Sequence, residues 1–284
     1  PTSSGHDNMG AHRRKKRGGR TLASRADKNA LYQSCVQEPE ADVRFFDRIF
    51  RKEYGRAPLS LREDFCSTAA VCCAWVQSRR DRTAIGIDID PKPLAWARKN
   101  NLSVLPADVR KRMTLIRDDV RKAKCKKADI IAAENFGYFV FKTRDDLRGY
   151  FKTAKRHLNN QGILVLDIIG GSVCQIEERE EKRREHGLTY VWEERRFDPI
   201  THDCLFRIHF RFRDGSELRN AFEYRWRLWS IPEVRELLKE AGFRRSDVYW
   251  EGTYQKTWSG NGVYTRREHA ESDPSWIAYI IGVV

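Results

Sequence analysis

Ala84-Ile85-Gly86-Ile87-Asp88-Ile89-Asp90-Pro91 is the stretch that decides how this chain is read. A short apolar run ends in two carboxylates and meets a proline. That proline can occupy the first turn of a following helix, where its missing N–H costs nothing. Strand, acidic end and helix in this order make one crossover of a parallel sheet.

The flanking segments repeat the order. Leu59 to Asp64 reads as the strand before it, Ala70 to Gln77 as a helix with Val71 and Trp75 on one face, and Met113 to Ile116 and Asp129 to Ala133 as the third and fourth strands. The clearest helix follows, with Thr143 as N-cap, Asp146 in capping-box position, and Leu147, Tyr150, Phe151, Ala154 and Leu158 on its buried side. Asn160 and Gly162 end it, and Ile163 to Ile168 forms a fifth strand ahead of Gly170 and Gly171. The rhythm predicts a doubly wound α/β fold.

Upstream, Val43, Phe46, Ile49, Phe50 and Tyr54 recur at helical spacing after Pro39. Leu31, Tyr32, Val36 and Gln37 read as a shorter helix or a lid on the same core. Downstream of Gly171, Glu177 to His186 reads as an exposed charged helix or linker, after which the period becomes two. Phe206, Ile208, Phe210 and Phe212 alternate with Arg207, His209, Arg211 and Arg213, and Phe222, Tyr224, Trp226 and Leu228 follow the Asp214-Gly215 turn. With Tyr190 and Trp192 these make a small antiparallel sheet with one aromatic and one cationic face. Ser230 to Glu233 is a capping box opening a helix through Val234, Leu237, Leu238 and Ala241, stopped by Gly242. Val248 to Tyr254 and Trp276 to Val283 are the last strands, with a loop read as mobile around Gly260, Asn261 and Gly262.

Composition sets the limits. The chain has 284 residues, 40% hydrophobic and 33% charged, with 14 Phe, 8 Trp and 10 Tyr, which suits a packed core and not disorder throughout. The apolar run Trp276 to Val284 is far shorter than the ~20 residues of a membrane-spanning helix. Seven cysteines, an odd number without a C-x-x-C pair, point to reduced thiols in a cytoplasmic protein and to no zinc site. No secretory signal is visible. Of the net charge of +14, residues 1–30 hold eight Lys/Arg against two Asp, or +6. This basic arm is read either as a disordered solvated terminus or as an RNA-seeking segment. Pro1 to Asn8 precede Met9 and are set aside as a candidate expression remnant. The resulting division is a basic disordered tail (1–29), an N-terminal helical cap (30–57), the α/β core (58–172), an inserted charged segment and sheet (173–229), and a C-terminal helix with two strands (230–284).

In open parallel sheets ligands bind at the carboxyl ends of the strands. Those ends are acidic and polar here: Glu63 and Asp64, Asp88 and Asp90, Asp118 and Asp119, Glu134 and Asn135, and Asp167. A core gains nothing from burying charge, so a cationic or hydroxyl-rich ligand is expected. A carboxylate ending the second strand suits a ribose diol, and one after the third suits an adenine amine.

Leu61-Arg62-Glu63-Asp64-Phe65-Cys66-Ser67-Thr68-Ala69, Gly86-Ile87-Asp88-Ile89-Asp90-Pro91, Arg117-Asp118-Asp119-Val120, the run from Leu158 to Asp167 and Glu240-Ala241-Gly242-Phe243 occur in the order of corresponding motifs in another group of proteins. With them the chain resembles the class I S-adenosylmethionine-dependent methyltransferases from about Leu31 to the end. The resemblance implies a seven-stranded Rossmann-like sheet with the small sheet inserted, S-adenosylmethionine as cofactor, and no metal. It implies cofactor contacts from Tyr32, Arg62, Glu63, Asp64, Phe65, Cys66, Asp88, Ile89, Asp118, Asp119, Val120 and Glu134, with Gln37 nearby and Arg62 pairing the cofactor carboxylate. Phe65, Ser67 and Ala69 stand where the family has glycines, a departure at the first loop.

Asn135-Phe136-Gly137-Tyr138 has the Asn-x-x-Tyr spacing of an amino-methylating motif without its prolines. It makes Asn135, Tyr138 and Glu134 the candidate catalytic residues; their structural readings are a turn anchor, a core ring and an Arg partner. The aromatic face of the small sheet (Tyr190, Trp192, Phe222, Tyr224, Trp226) is expected toward the acceptor. The implied activity is methyl transfer to a small or medium-sized acceptor, nitrogen preferred over oxygen. The alternatives are an RNA methyltransferase using the basic tail and Arg-rich face, and a non-catalytic binding module whose first loop no longer holds the cofactor. Oligomeric state is not legible.

Overall fold

The computed structural model describes residues 20–254 and 260–284. In chain order, Leu22–Arg25 (α1), Lys28–Val36 (α2) and Pro39–Tyr54 (α3) precede the sheet. Then come Ser60–Asp64 (β1), Ala70–Ser78 (α4), Thr83–Asp88 (β2), Pro91–Ala97 (α5), Ala107–Arg110 (α6), Met113–Arg117 (β3) and Ala128–Ala133 (β4). Arg144–His157 (α7) and Leu158–Gly170 (β5) complete the parallel part. Arg179–Glu185 (β6), Leu188–Phe197 (β7), Asp203–Arg211 (β8) and Glu217–Arg227 (β9) follow, then Ile231–Glu240 (α8), Arg245–Thr253 (β10), Gly260–Arg267 (β11) and Trp276–Val283 (β12).

The main sheet has the order β11-β10-β12-β5-β4-β1-β2-β3; β1 to β5 are parallel, and β12, β10 and β11 are each joined by antiparallel pairing, so β10 runs with the parallel strands while β12 and β11 run against them. It therefore has eight strands where seven were expected. The eighth, β11, occupies the region read as a loop, because an exposed edge strand carries no periodic apolar signal; residues 255–259 of that loop lie outside the described residues. The charged run read as a helix or linker is also a strand. β6 is the edge of the four-stranded sheet β6-β7-β8-β9, where dense charge deters further pairing.

The tail expectation changes too. Its last ten residues are ordered: α1 donates Leu22 N to Asp214 and Ala23 N to Ser216, and α2 is capped by Asp27. Residues 1–19, with most of the basic arm, lie outside the described residues. α2 packs on the small sheet through Tyr32, Cys35, Ile208 and Phe210, not on the main core as expected.

Layering follows the alternation of side chains on the strands. On β1, Leu61 points to the layer of α3 and α4, where Phe46, Phe50, Val71 and Trp75 pack. Arg62 and Asp64 are buried beneath the opposite layer, which contains α7, α8, Phe206 and Trp226. The connection between β3 and β4 on that side has no helix. Arg62 compensates by donating to Val120 O at 2.6 Å and pairing with Asp64 at 2.6 Å, while the Tyr150 hydroxyl donates to Asp64 at 2.9 Å. All seven cysteines are free, and no described helix is long and apolar enough to cross a membrane.

The buried pair sets a stability test. Arg62→Met leaves the Asp64 charge without its counterion and is expected to cost about 3–5 kcal/mol in urea unfolding. Tyr150→Phe removes one hydrogen bond and should cost about 1–2 kcal/mol.

Candidate functional site

The strand order reverses between β1 and β4, and a crevice opens beside their carboxyl ends. A cleft of about 200 Å³ lies there, lined by Glu63, Asp64, Phe65 and Ser67 after β1, Glu134, Asn135, Gly137 and Val140 after β4, Tyr32 and Gln37 from the N-terminal cap, and Phe222, Tyr224 and Trp226 from β9. Thus three aromatic residues of the inserted sheet face the cleft. Tyr190 and Trp192 do not line it: Tyr190 packs against Phe210, and Trp192 against Phe206.

Two backbone turns shape the floor. Phe65, Ser67 and Ala69 have φ of 58°, 46° and 55°, so the residues in the glycine positions of the first loop hold the left-handed conformation that glycine adopts freely. The side chains are accommodated locally. A Cβ on Gly137 would lie 2.7 Å from the Phe65 ring, so the glycine at 137 makes room for the phenylalanine at 65. Cys66 is buried with its sulfur over Gly86. The second turn places Asn135 and Phe136 at φ 53° and 58°, and the Asp167 carboxylate accepts both of their N–H groups at 2.7 and 2.9 Å.

The strand-end carboxylates differ in what they hold. Asp88 accepts from Ser67 N at 2.8 Å and Asp90 N at 2.9 Å, which ties the first loop to β2. Glu63 accepts from Cys72 N in the first turn of α4. Asp119 pairs with Arg121, Asp118 accepts from Asp119 N, and Val120 is core with its carbonyl given to Arg62. Asp64 is saturated by Arg62 and Tyr150. Ile89, beside Asp88, is 69% exposed.

Two sequence expectations are corrected here. Arg62 is fully buried and committed to Asp64 and Val120, so it does not reach the cleft to pair a ligand carboxylate. Tyr138 has no exposed surface, does not line the cleft and packs its ring on Phe139 and Phe151, with its hydroxyl lacking a hydrogen-bond partner among the described residues. Asn135 and Glu134 do line the cleft.

Glu134 stands apart from the other carboxylates. It is buried, and its Oε1 has no hydrogen-bond partner among the described residues; the same holds for Gln37 Oε1. Desolvation, then the charges of Asp42, Asp167 and Glu63, push its pKa well above the usual carboxylate range. Burial pushes Asp42, Glu63 and Asp167 up to about 7. Asp42 is the member that sequence reading missed. It sits in the first turn of α3, in hydrogen-bonding contact with Glu134 and within 3.4 Å of the Tyr279 hydroxyl. The one available signal was an acidic residue on a helix turn, which a favourable helix dipole explains equally well.

No protein-family model matches the chain, and no curated protein matches it in sequence. Solved structures do. An S-adenosylmethionine-dependent methyltransferase from Clostridium acetobutylicum is similar with a TM-score of 0.62 at 16% identity, covering 90% of this chain and 97% of that one. CalS10, an amino pentose methyltransferase from Micromonospora echinaspora solved with S-adenosylmethionine bound, has 0.62 at 14%, over 90% and 96%. The sugar N-methyltransferase KedS8 from Streptoalloteichus has 0.60 at 16%, over 98% and 99%. At such identities the likeness is one of fold: this chain shares the Rossmann-like α/β fold of those structures, a large mostly parallel sheet with a separate small antiparallel sheet.

The carboxyls give the site a pH signature. Folded values near 7 for Asp42, Glu63 and Asp167 exceed the unfolded values near 4, so the folded chain binds more protons between those limits. Their contribution to stability is complete below about pH 4 and is lost as pH rises through about 7. Thermal unfolding should therefore show a decline between about pH 4 and about pH 7, levelling off above it, that Asp42→Asn reduces. A decline unaltered by that substitution contradicts the assignment. In the first loop, Ala69→Gly should raise stability by up to about 1 kcal/mol, because glycine carries no Cβ penalty at positive φ.

Proposed function

We propose that the chain is an S-adenosylmethionine-dependent methyltransferase acting on a small or medium-sized acceptor, with nitrogen preferred over oxygen. The observation that carries this reading is Glu134: a buried carboxyl at the switch point with an unpartnered oxygen, surrounded by three further carboxyls. Buried like charges are costly unless a cation joins them. The cofactor brings a sulfonium and an α-ammonium, and the fold is shared with enzymes described as using it.

The residues present fit that group. Glu134 Oε1 and Gln37 Oε1 are acceptors available to an ammonium. Asp88 keeps lone pairs for a ribose diol, Ile89 offers an apolar surface to a purine, and Asp118 stands at the end of β3 for its amine. When bound, the cofactor supplies a methyl group already activated on sulfur.

What remains for the protein is to align the acceptor and exclude water. Phe222, Tyr224 and Trp226 form an apolar wall that suits the face of a sugar ring or a cationic amine. Asn135, whose backbone Asp167 fixes, has a carboxamide placed at the cleft to accept from an acceptor N–H. An acceptor that arrives as an ammonium must lose a proton to expose its lone pair before transfer. The left-handed φ values of Phe65, Ser67 and Ala69 weigh against the reading of a loop too altered to hold a cofactor.

Calorimetry with S-adenosylhomocysteine tests the reading. The wild-type chain should bind it, and Asp88→Ala should lose ~1.5–3 kcal/mol of affinity, since a charged acceptor is removed. Urea unfolding of the variant separates this from loss of the Ser67 tie. A flat wild-type titration overturns the proposal.

A further inference from the structure

The positive charge of this chain is concentrated in one ordered segment. Residues 91–127 contain twelve Lys/Arg against three Asp, a net +9. With +6 in residues 1–30 and +14 overall, the other 217 residues carry a net −1. The segment comprises α5, the turn after it, α6, the edge strand β3 and the helix-free crossing to β4.

Ten of the twelve cations are exposed, and none of those ten forms an ion pair among the described residues. The other two are Arg112, which donates to the carbonyls of Val76, Arg79 and Arg82, and Arg121, which pairs with Asp119 and Asp146. The face of the small sheet that sequence reading took as cationic behaves in the opposite way. Arg207, Arg211 and Arg225 there are paired with Glu193, Glu180, Glu217 and Glu223, a nearly balanced lattice.

Protection of the β3 edge does not account for the excess. One or two charges on a strand suffice for that, whereas Lys122, Lys124 and Lys127 lie on the crossing and Lys99 in the turn after α5. Clustered unpaired cations repel one another, a cost that a polyanion relieves. A membrane surface is the poorer match: Val104 is the only strongly exposed large apolar residue of the segment, and the other exposed residues between the cations are polar or small, such as Asn100, Ser103, Thr114 and Ala107. The basic arm also ends close by, since the Trp96 indole of α5 donates to Asp27 at 2.5 Å.

We propose that the β3 edge, from α5 to the crossing segment, is a docking surface for the phosphate backbone of a polynucleotide, bound by charge without reading of the bases. This surface is independent of the cofactor reading. The test uses fluorescence anisotropy of the full chain with fluorescein-labelled single-stranded RNA of about twenty nucleotides, and with DNA of the same sequence, across a KCl series.

The triple variant Lys111→Glu, Lys124→Glu, Lys127→Glu is compared with Arg184→Glu, Arg196→Glu, Arg213→Glu, an equal charge change on the small sheet. The first should weaken binding at least about tenfold at about 0.1 M salt and reduce the slope of log K against log salt by about 2, at ~0.7 for each phosphate no longer neutralised. The second should change affinity less than about threefold. Calorimetry with S-adenosylhomocysteine and urea unfolding check that the first variant is folded. Equal losses in both variants would show an effect of net charge alone. Loss only on deleting residues 1–19, or a patch variant that loses binding to phosphatidylserine vesicles while holding RNA unchanged, would equally overturn the proposal.

Discussion

Everything at the switch point depends on how a buried carboxylate is compensated. Removing a charge from water is affordable only if hydrogen bonds or a counterion replace the solvent. Asp64 has the Arg62 guanidinium and the Tyr150 hydroxyl, and Asp167 has two backbone N–H groups. Asp88 ties the first loop to β2 through Ser67. These carboxylates organise the chain. Glu134 and Asp42 have chiefly each other and the Tyr279 hydroxyl, so the poorly compensated carboxyls, which burial pushes toward the protonated form, collect where β1 and β4 diverge.

The same partners explain the unusual first loop. Three non-glycine residues at positive φ cost conformational energy and persist only where their surroundings over-determine them. The Asp88 carboxylate holds the middle of the loop, Gly137 leaves space for Phe65, and Gly86 leaves space for Cys66. The loop thus keeps the backbone path of a glycine turn while adding side chains to the cleft wall. Tertiary packing supplies what the missing glycines would have supplied locally.

Charge is sorted on the outside as well. The small sheet pairs Arg with Glu across its strands, so its surface is nearly neutral despite stretches dense in cations. On the β3 flank Arg121 alone has acidic partners among the described residues, and ten exposed cations have none. Net charge counted along a sequence does not distinguish these cases, since an acidic partner can sit far away in the chain, as Glu180 of β6 does from Arg211 of β8.

The sequence by itself determined the α/β architecture. Period-two and helical patterns with acidic strand ends located β1 to β5, α3, α4, α7, α8 and three strands of the small sheet, because local patterning reflects which face of an element is buried. It also located Glu134 and Asn135 at the cleft. Tertiary structure alone decided the rest. β6 and β11 are exposed edge strands, whose identity comes from the neighbours they pair with and not from apolar periodicity. Arg62 and Tyr138 sit beside strand ends in sequence, yet the layer they face puts one in a buried ion pair and the other in the core. Asp42 comes beside Glu134 and the Tyr279 hydroxyl, residues 92 and 237 positions away in the chain, a juxtaposition that no local pattern encodes.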